Sequence, residues 1–318
     1  MAERRRLALG GDGPWVAVLA ATTAIEFAWW AVAWIAGLAP LPLLPAYLGF
    51  ALAALAAAMG LRWIAGRGGP SARLPAIALA ALLIALGASL FLPLKIAIPA
   101  EVPFWLDAPL ATGERALFGA DPWRILDGLL GWATIPLDRL YGLWLPVQSV
   151  VLFAAILTAP SPRKSRALIA YSLAWLILGV AAAALLSSAG PIFFDRLYGG
   201  EAFADLGQVL RSRGAWMAVG ESDAMWASFA SAQPGLVAGI SAMPSLHVAI
   251  SFWMVLAAKT IAPRAFPYAI GYFILVWIAS VQLGWHYVAD GLIGALGMLA
   301  IWWIAGIVAR RVEPHGHQ

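Results

Sequence analysis

Two short stretches of the chain combine residue types that can do chemistry together. One reads Gly284-Trp285-His286-Tyr287-Val288-Ala289-Asp290-Gly291, the other Ser241-Ala242-Met243-Pro244-Ser245-Leu246-His247-Val248-Ala249. His286 and Asp290 stand at i and i+4, so a helix puts them on one face within reach of each other. An aspartate that accepts from one imidazole nitrogen fixes the tautomer, leaves the other nitrogen free to attack, and stabilises the cation that attack creates. A helix-end pair that only satisfies itself has the same spacing. In the second stretch Pro244 suits a first helical turn, where its missing N–H is no loss. The free amides of such a turn and the positive end of the helix dipole make an anion site, with phosphate the usual guest. Ser245 adds a hydroxyl donor, and His247 in the same turn is placed to protonate a leaving oxygen. An ordinary Pro-Ser helix start with an interfacial histidine is the alternative. Taken together, a nucleophilic and an acid histidine facing one anion cradle suit phosphoryl transfer through a phosphohistidine.

The rest of the chain narrows what can position these groups. Its 318 residues are 63% hydrophobic and 11% charged, and mean hydropathy is +0.84. A soluble domain carries roughly 25% charged residues, so a water-soluble fold, disorder and a nucleic-acid-binding protein are excluded. The composition is that of a polytopic membrane protein. With no cysteine, disulfides, Cys-zinc sites and thiol nucleophiles drop out together. Of the four histidines, His315 and His317 fall in the C-terminal tail, which leaves His247 and His286. No carboxylate or histidine cluster accompanies them, and neither a metal nor a cofactor is expected.

Hydrophobic runs of about 20 residues predict eight spans, at about 14–37, 42–64, 74–97, 137–158, 166–189, 243–260, 266–284 and 287–309. With the N-terminus inside, thirteen Lys and Arg fall on inner segments and seven on outer ones, while eleven of the acids fall outside. That is the pattern of the positive-inside rule. It places both termini in the cytoplasm of a bacterial inner membrane and both histidines at the periplasmic or exterior face. Arg4-Arg5-Arg6 with the long apolar run behind it reads as an uncleaved signal anchor. The expected fold is an all-α bundle: a two-span N-terminal addition (1–70), then a catalytic core (71–318) of six lipid-phosphatase-type helices. Two outer segments, at about 98–136 and 190–242, interrupt the core. Aromatic and acidic residues mixed in the first predict short interfacial helices, and a connector as long as the second is expected to form a lid or a substrate-facing wall. Glu26 lies mid-span, where an ionisable residue is functional by default. Gly291 and Gly294 are read as close-packing positions.

Met243-Pro244-Ser245-Leu246-His247-Val248-Ala249, followed about forty residues on by His286-Tyr287-x-x-Asp290-Gly291, resembles the type-2 phosphatidic acid phosphatase superfamily. The form is nearest to its inositolphosphotransferase branch, which includes inositol phosphorylceramide synthase. The resemblance is specific over about 241–295 and looser over about 137–196, where Leu137-Asp138-Arg139-Leu140-Tyr141 and Ser188-Ala189-Gly190-Pro191 stand. It implies that His286 is the nucleophile, that Asp290 orients it, that His247 protonates the leaving group and that Ser245 helps to hold phosphate. Three positions depart from the family pattern. Leu246 stands where glycine is usual, Ala279 and Ser280 stand where the third signature has Ser-Arg, and the first signature, K-x-x-x-x-x-x-R-P, is not found. Its nearest counterpart is Pro191-Ile192-Phe193-Phe194-Asp195-Arg196. The cations that should meet the phosphate are therefore sought in Arg196 and Arg139, then in Arg211 and Arg213. Tyr287 is a further binding candidate.

The expected activity is that of an integral membrane phosphatase or phosphotransferase acting on a lipid phosphate. The acceptor is water or a second lipid alcohol, and the branch resemblance implies a phosphosphingolipid-type product. Membrane lipids are the expected partners. The rival from another class is a lipid transporter or a membrane scaffold. Transport would call for interrupted spans and charges at the midplane, and Glu26 alone meets that.

Overall fold

The computed structural model describes residues 9–66, 73–231 and 239–312. Arg4, Arg5, Arg6, Arg67, His315 and His317, on which parts of the orientation and histidine arguments rest, lie outside the described residues. Within them the chain is helical throughout, with no strand. Six helices are long and apolar enough to cross a membrane: α1 (Gly13–Ile35), α2 (Leu44–Ile64), α3 (Leu74–Glu101), α8 (Pro162–Leu185), α13 (Phe266–Gln282, with the turn before it) and α14 (Val288–Val312). The protein is a polytopic bundle of membrane-length helices.

Two of the eight predicted spans take a different form from the one expected. The fourth is broken. The helical stretch Pro122–Gly142, which ends in α6 (Thr134–Gly142), meets α7 (Trp144–Ile156) at a 50° bend, and Pro146 falls in the first turn of α7, where its missing N–H removes no helical bond. The sixth is short. α12 runs only from Leu246 to Ile261, a rise of about 24 Å against the ~30 Å of a hydrocarbon core. Pro244 is not in its first turn. Ser245 is the N-cap, in an extended conformation, and its hydroxyl accepts from the Val248 amide. A serine that caps in this way ends the helix ahead of it, so Pro244 stands outside, after a cis Met243–Pro244 bond.

α12 is packed by α8, α13 and α14, and α8 also packs against α14. The first two spans pack on the rest of the bundle. α1 lies on α3 and α8, and α2 lies on α3 and α7. At the histidine end of the bundle sit α4 (Asp107–Phe118), α5 (Pro122–Leu130), α9 (Pro191–Tyr198), α10 (Leu206–Arg213) and α11 (Trp216–Ser231). The two long outer segments are thus helical, and ion pairs join them. Arg115 and Arg124 meet Asp121, Arg124 also meets Asp205, and Arg213 meets Asp127 at 3.0 Å. At the opposite end Asp12, Lys164 and Arg73 form a buried cluster. Lys164 Nζ donates to Asp12 at 2.7 Å and to the carbonyls of Ile156 and Thr158. Arg73 bonds Asp12 and the same two carbonyls.

Candidate active site

Three loop segments at the histidine end are tied together through their backbones. The Ser188 carbonyl accepts from the Ala242 amide and its hydroxyl accepts from the Met243 amide, so 188 holds the start of the α12 loop. The Ile192 amide donates to the Gly284 carbonyl, so the same strap holds the loop before α14. Gly190 has a φ of +95°, and a side chain there would strike the Trp285 carbonyl oxygen; only glycine lets the strap lie so close. Asp107 of α4 closes the strap by accepting from the Ala189 and Gly190 amides at 2.8 and 2.9 Å. Burial raises its carboxyl above the usual carboxylate range, with those amides acting against the rise.

On this frame the two histidines meet. Their ring centroids are 6.2 Å apart. His286 is 6% exposed, and its Nδ1 is 3.2 Å from an oxygen of Asp290, which is fully buried. The same carboxylate oxygen accepts from the Tyr287 amide at 3.0 Å. The His286 amide donates to the Ser280 carbonyl, so the end of α13 fixes the loop on which the imidazole rides. Burial pushes the imidazole down to about 3. The charge of Lys95 acts in the same direction, and the Ala242 carbonyl acts against it. The ring is therefore neutral near pH 7.

His247 is held between aromatic faces. It stacks on Tyr141 at 4.4 Å and lies against Trp144 at 4.2 Å. Tyr141 and Trp144 flank the bend between α6 and α7, so the broken span supplies the walls of the His247 slot. The two histidine helices are also bound to one another. The Ser245 amide donates to the Asp290 carbonyl, and a side chain at Gly294 would come within 2.5 Å of the Ser245 carbonyl oxygen. At Gly291 a side chain would run into the indole of Trp277. Both glycines are thus sites of close helix approach.

Ser245 sits at the centre of this arrangement, fully buried. Its oxygen accepts from Val248, and its O–H remains available to a ligand. The four proposed arginines are placed elsewhere, while Tyr287 stays beside His286. Arg196 is ion-paired to Asp223 and lies over the ring of Trp226. Arg139 is exposed, beside Ile135, Leu143 and Val147. Arg211 also meets Asp223, and Arg213 is taken up by Asp127. Tyr287 is buried and lines a small cavity with His286, and its hydroxyl has no hydrogen-bond partner among the described residues.

A cation that sequence reasoning passed over is brought in instead. Lys95 of α3 is 8% exposed and close enough for its charge to act on both His286 and His247. It has no ion-pair or hydrogen-bond partner among the described residues, and its nearest aromatic face is Phe91 at 5.8 Å. The signal was present in the sequence. Six residues separate Lys95 from Val102-Pro103, which is the spacing of K-x-x-x-x-x-x-R-P with valine in place of arginine.

Three further residues complete the ring. Glu114 of α4 accepts from the Ala289 amide at 2.9 Å, so a carboxyl from the covering helices caps α14. Burial pushes it up to about 7, with the nearby charges of Asp290 and Asp121 adding to the rise and the amides it caps opposing it. Ser241 Oγ and Trp285 Nε1 are buried with no protein partner among the described residues, so both are free to serve a ligand. No group of three or more His, Asp or Glu residues is gathered for a metal ion among the described residues.

A family model, that of the PAP2 superfamily, matches residues 126–304, more than half of the chain. The chain belongs to that superfamily. The match takes in the broken span, the strap, both histidines and Asp290, and it leaves out α1, α2 and Lys95. No curated protein and no solved structure matches the chain.

Proposed function

We propose that this protein is a membrane phosphoesterase or phosphotransferase acting on a lipid phosphate through a phosphohistidine. The observation that carries the reading is the 6.2 Å separation of the two imidazoles, one backed by a carboxylate and the other boxed by aromatic rings. A phosphorus atom between them would lie within about 3–3.5 Å of an attacking nitrogen and within a hydrogen bond of the opposite ring on its leaving-oxygen side. His286 Nε2 attacks phosphorus. The P–O bond to the lipid alcohol breaks, and His247 gives its proton to the departing oxygen. In the second half His247 takes a proton from the incoming hydroxyl, which attacks phosphorus and releases His286. Asp290 keeps the His286 proton on Nδ1 and stabilises the charged ring. Lys95, the Ser245 hydroxyl and the amides at the start of α12 are the groups that would meet the oxyanion charge.

The end of the bundle that carries the site is read as the outer one, from the distribution of basic residues, in a bacterial inner membrane. Residues 1–70 are read as an addition to a six-helix core. Transfer to a lipid alcohol, as in the inositolphosphotransferase branch, is the second reading. It is favoured by the enclosure of the nucleophile, since His286, Trp285 and Tyr287 are all less than a tenth exposed and water has little access.

Assay of purified protein on a panel of labelled lipid phosphates tests both readings. His286→Ala is expected to lower kcat per folded molecule by at least about 10³-fold. Unaltered turnover would remove the phosphohistidine. Label released as free phosphate means hydrolysis, and label in a second lipid means transfer.

A further inference from the structure

Inside the bundle, α1, α2, α3, α7 and α8 enclose a cavity of about 70 Å³, several times what one water needs. It is lined mainly by aliphatic and aromatic side chains, and no lysine, arginine or histidine reaches it. Much of its polar lining is satisfied within the protein, but Trp175 Nε1, the Tyr47 hydroxyl and Glu26 have no hydrogen-bond partner among the described residues. Thr22 and Thr23 donate to the Leu19 carbonyl, Ser172 to the Leu168 carbonyl, and Tyr171 to Gln148, which in turn donates to Ser149. Glu26 is 4% exposed and has no hydrogen-bond or ion-pair partner among the described residues. One of its oxygens lies against Gly87 of α3, where a side chain would come within 3.1 Å of it. A carboxyl buried without a partner costs several kcal/mol on polar-transfer scales, so such a group in a cavity marks a place for a ligand.

The cavity is distinct from the histidine site. Gly87 precedes Lys95 by eight residues on α3, about 12 Å along the axis. Between the two lie Phe91, Trp175 and Trp144, in edge and tilted contacts at 4.8 and 6.4 Å, and Trp144 is the ring that walls His247.

We propose that this cavity is a second binding site, which takes an uncharged lipid through a hydroxyl bonded to Glu26. The apolar lining selects an aliphatic chain. A hydroxyl is both donor and acceptor, so it complements a carboxyl in either protonation state. An ammonium complements only the ionised one, and no neighbouring side chain shares that charge. This site does not rest on the catalytic reading, because it is built from residues that the phosphoryl-transfer scheme does not use.

The test is photolabelling of the purified full chain with a diazirine-bearing sixteen-carbon alcohol, mapped by peptide mass spectrometry. Labelling is expected in the peptides of α1 and α3 that line the cavity. Excess 1-hexadecanol should suppress it at least tenfold, and hexadecane should not. Glu26→Leu should lower it at least fivefold, while Glu26→Gln, whose amide still donates and accepts, should keep more than half. Ala88→Phe fills the cavity without touching the carboxyl and should abolish labelling, which decides the matter if Glu26→Leu does not fold. Labelling that ignores Glu26→Leu, or that hexadecane suppresses equally, means a plain apolar crevice and overturns the proposal. Suppression by hexadecylamine at a tenfold lower concentration than hexadecanol overturns the ligand class, and no labelling at all means that the cavity takes water only. None of these readouts needs turnover.

Discussion

Lys164 and Lys95 are both buried in the bundle, one near each end, and their surroundings differ. Lys164 is fully buried, and its three protons are taken by Asp12 and by the carbonyls of Ile156 and Thr158. Arg73 shares the same acceptors. That cluster joins the start of α1 to the start of α8 and uses up its own charges. Lys95 is almost as deeply buried, faces two histidines, and has no carboxylate or carbonyl partner among the described residues. In the loops that carry the histidines, Ser241 Oγ and Trp285 Nε1 also lack partners among the described residues. A buried charge answered by its neighbours stabilises the fold. One left open, among other open donors, is available to an anion from outside, and the gap is paid for by the rest of the structure.

Exchanging each lysine for methionine separates these roles and carries the largest expected effect. Lys164→Met leaves Asp12 short of a partner in a dry site, which should cost about 3 kcal/mol in equilibrium unfolding in mixed micelles. Activity per folded molecule should be unchanged. Lys95→Met removes a charge that nothing answers, so stability should hold or rise, while kcat/KM on a lipid phosphate falls about 10²-fold. Equal stability losses with intact activity in both variants would erase the contrast.

A second comparison runs along α14, which reaches from one end to the other. At Gly294 an added methyl meets the Ser245 carbonyl, which is backbone held at both ends, whereas at Gly306 it meets the flexible Arg166 side chain at 3.0 Å. Gly294→Ala should push the α12 cap away from Asp290 and lower kcat by about 10- to 100-fold. Gly306→Ala should leave activity within about twofold. Steady-state kinetics of the two variants in the same detergent checks both, and equal losses would mean that the close approach at Ser245 has no bearing on the chemistry.

These contrasts also explain what the sequence made legible. His286, Asp290, Ser245 and His247 could be read because each relation is local, within one helical turn of a helix start. The spans were legible from hydropathy. The bend at Leu143 was not, because hydropathy runs unbroken through 137–158. Nor was the late start of α12, which depends on the Ser245 cap. Lys95 was missed because its meaning lies in charge interactions across about 150 and 190 residues, and because Val102 stands where an arginine was sought. The arginines were legible as cations, but their partners Asp223 and Asp127 are tertiary neighbours that no spacing announces. Glu114 reaches α14 across 175 residues, and nothing near it in sequence marks it.

Glu114 provides the smallest and most specific effect. Its carboxyl caps Ala289 at the helix that carries Asp290, and burial raises its pKa from the ordinary value to about 7. A folded-state pKa above the unfolded one means that the native state holds this proton more tightly. The contribution to stability is complete below about pH 4.5 and is lost as pH rises through 7. His286 works in the opposite sense. Its value near 3 makes its contribution complete above about 6.5 and lost as pH falls through 3. A single unfolding curve mixes the two, so the informative quantity is the difference between wild type and Glu114→Gln, in which the His286 part cancels. That difference should move against wild type as pH goes from about 5 to about 8, and level off on either side. The amide keeps an oxygen for the Ala289 N–H and never charges beside Asp290, so the variant should also hold its activity flat across the range in which wild type changes. A difference that does not vary with pH would mean that Glu114 is an ordinary solvated carboxylate and that the covering helices are indifferent to the charge at the start of α14.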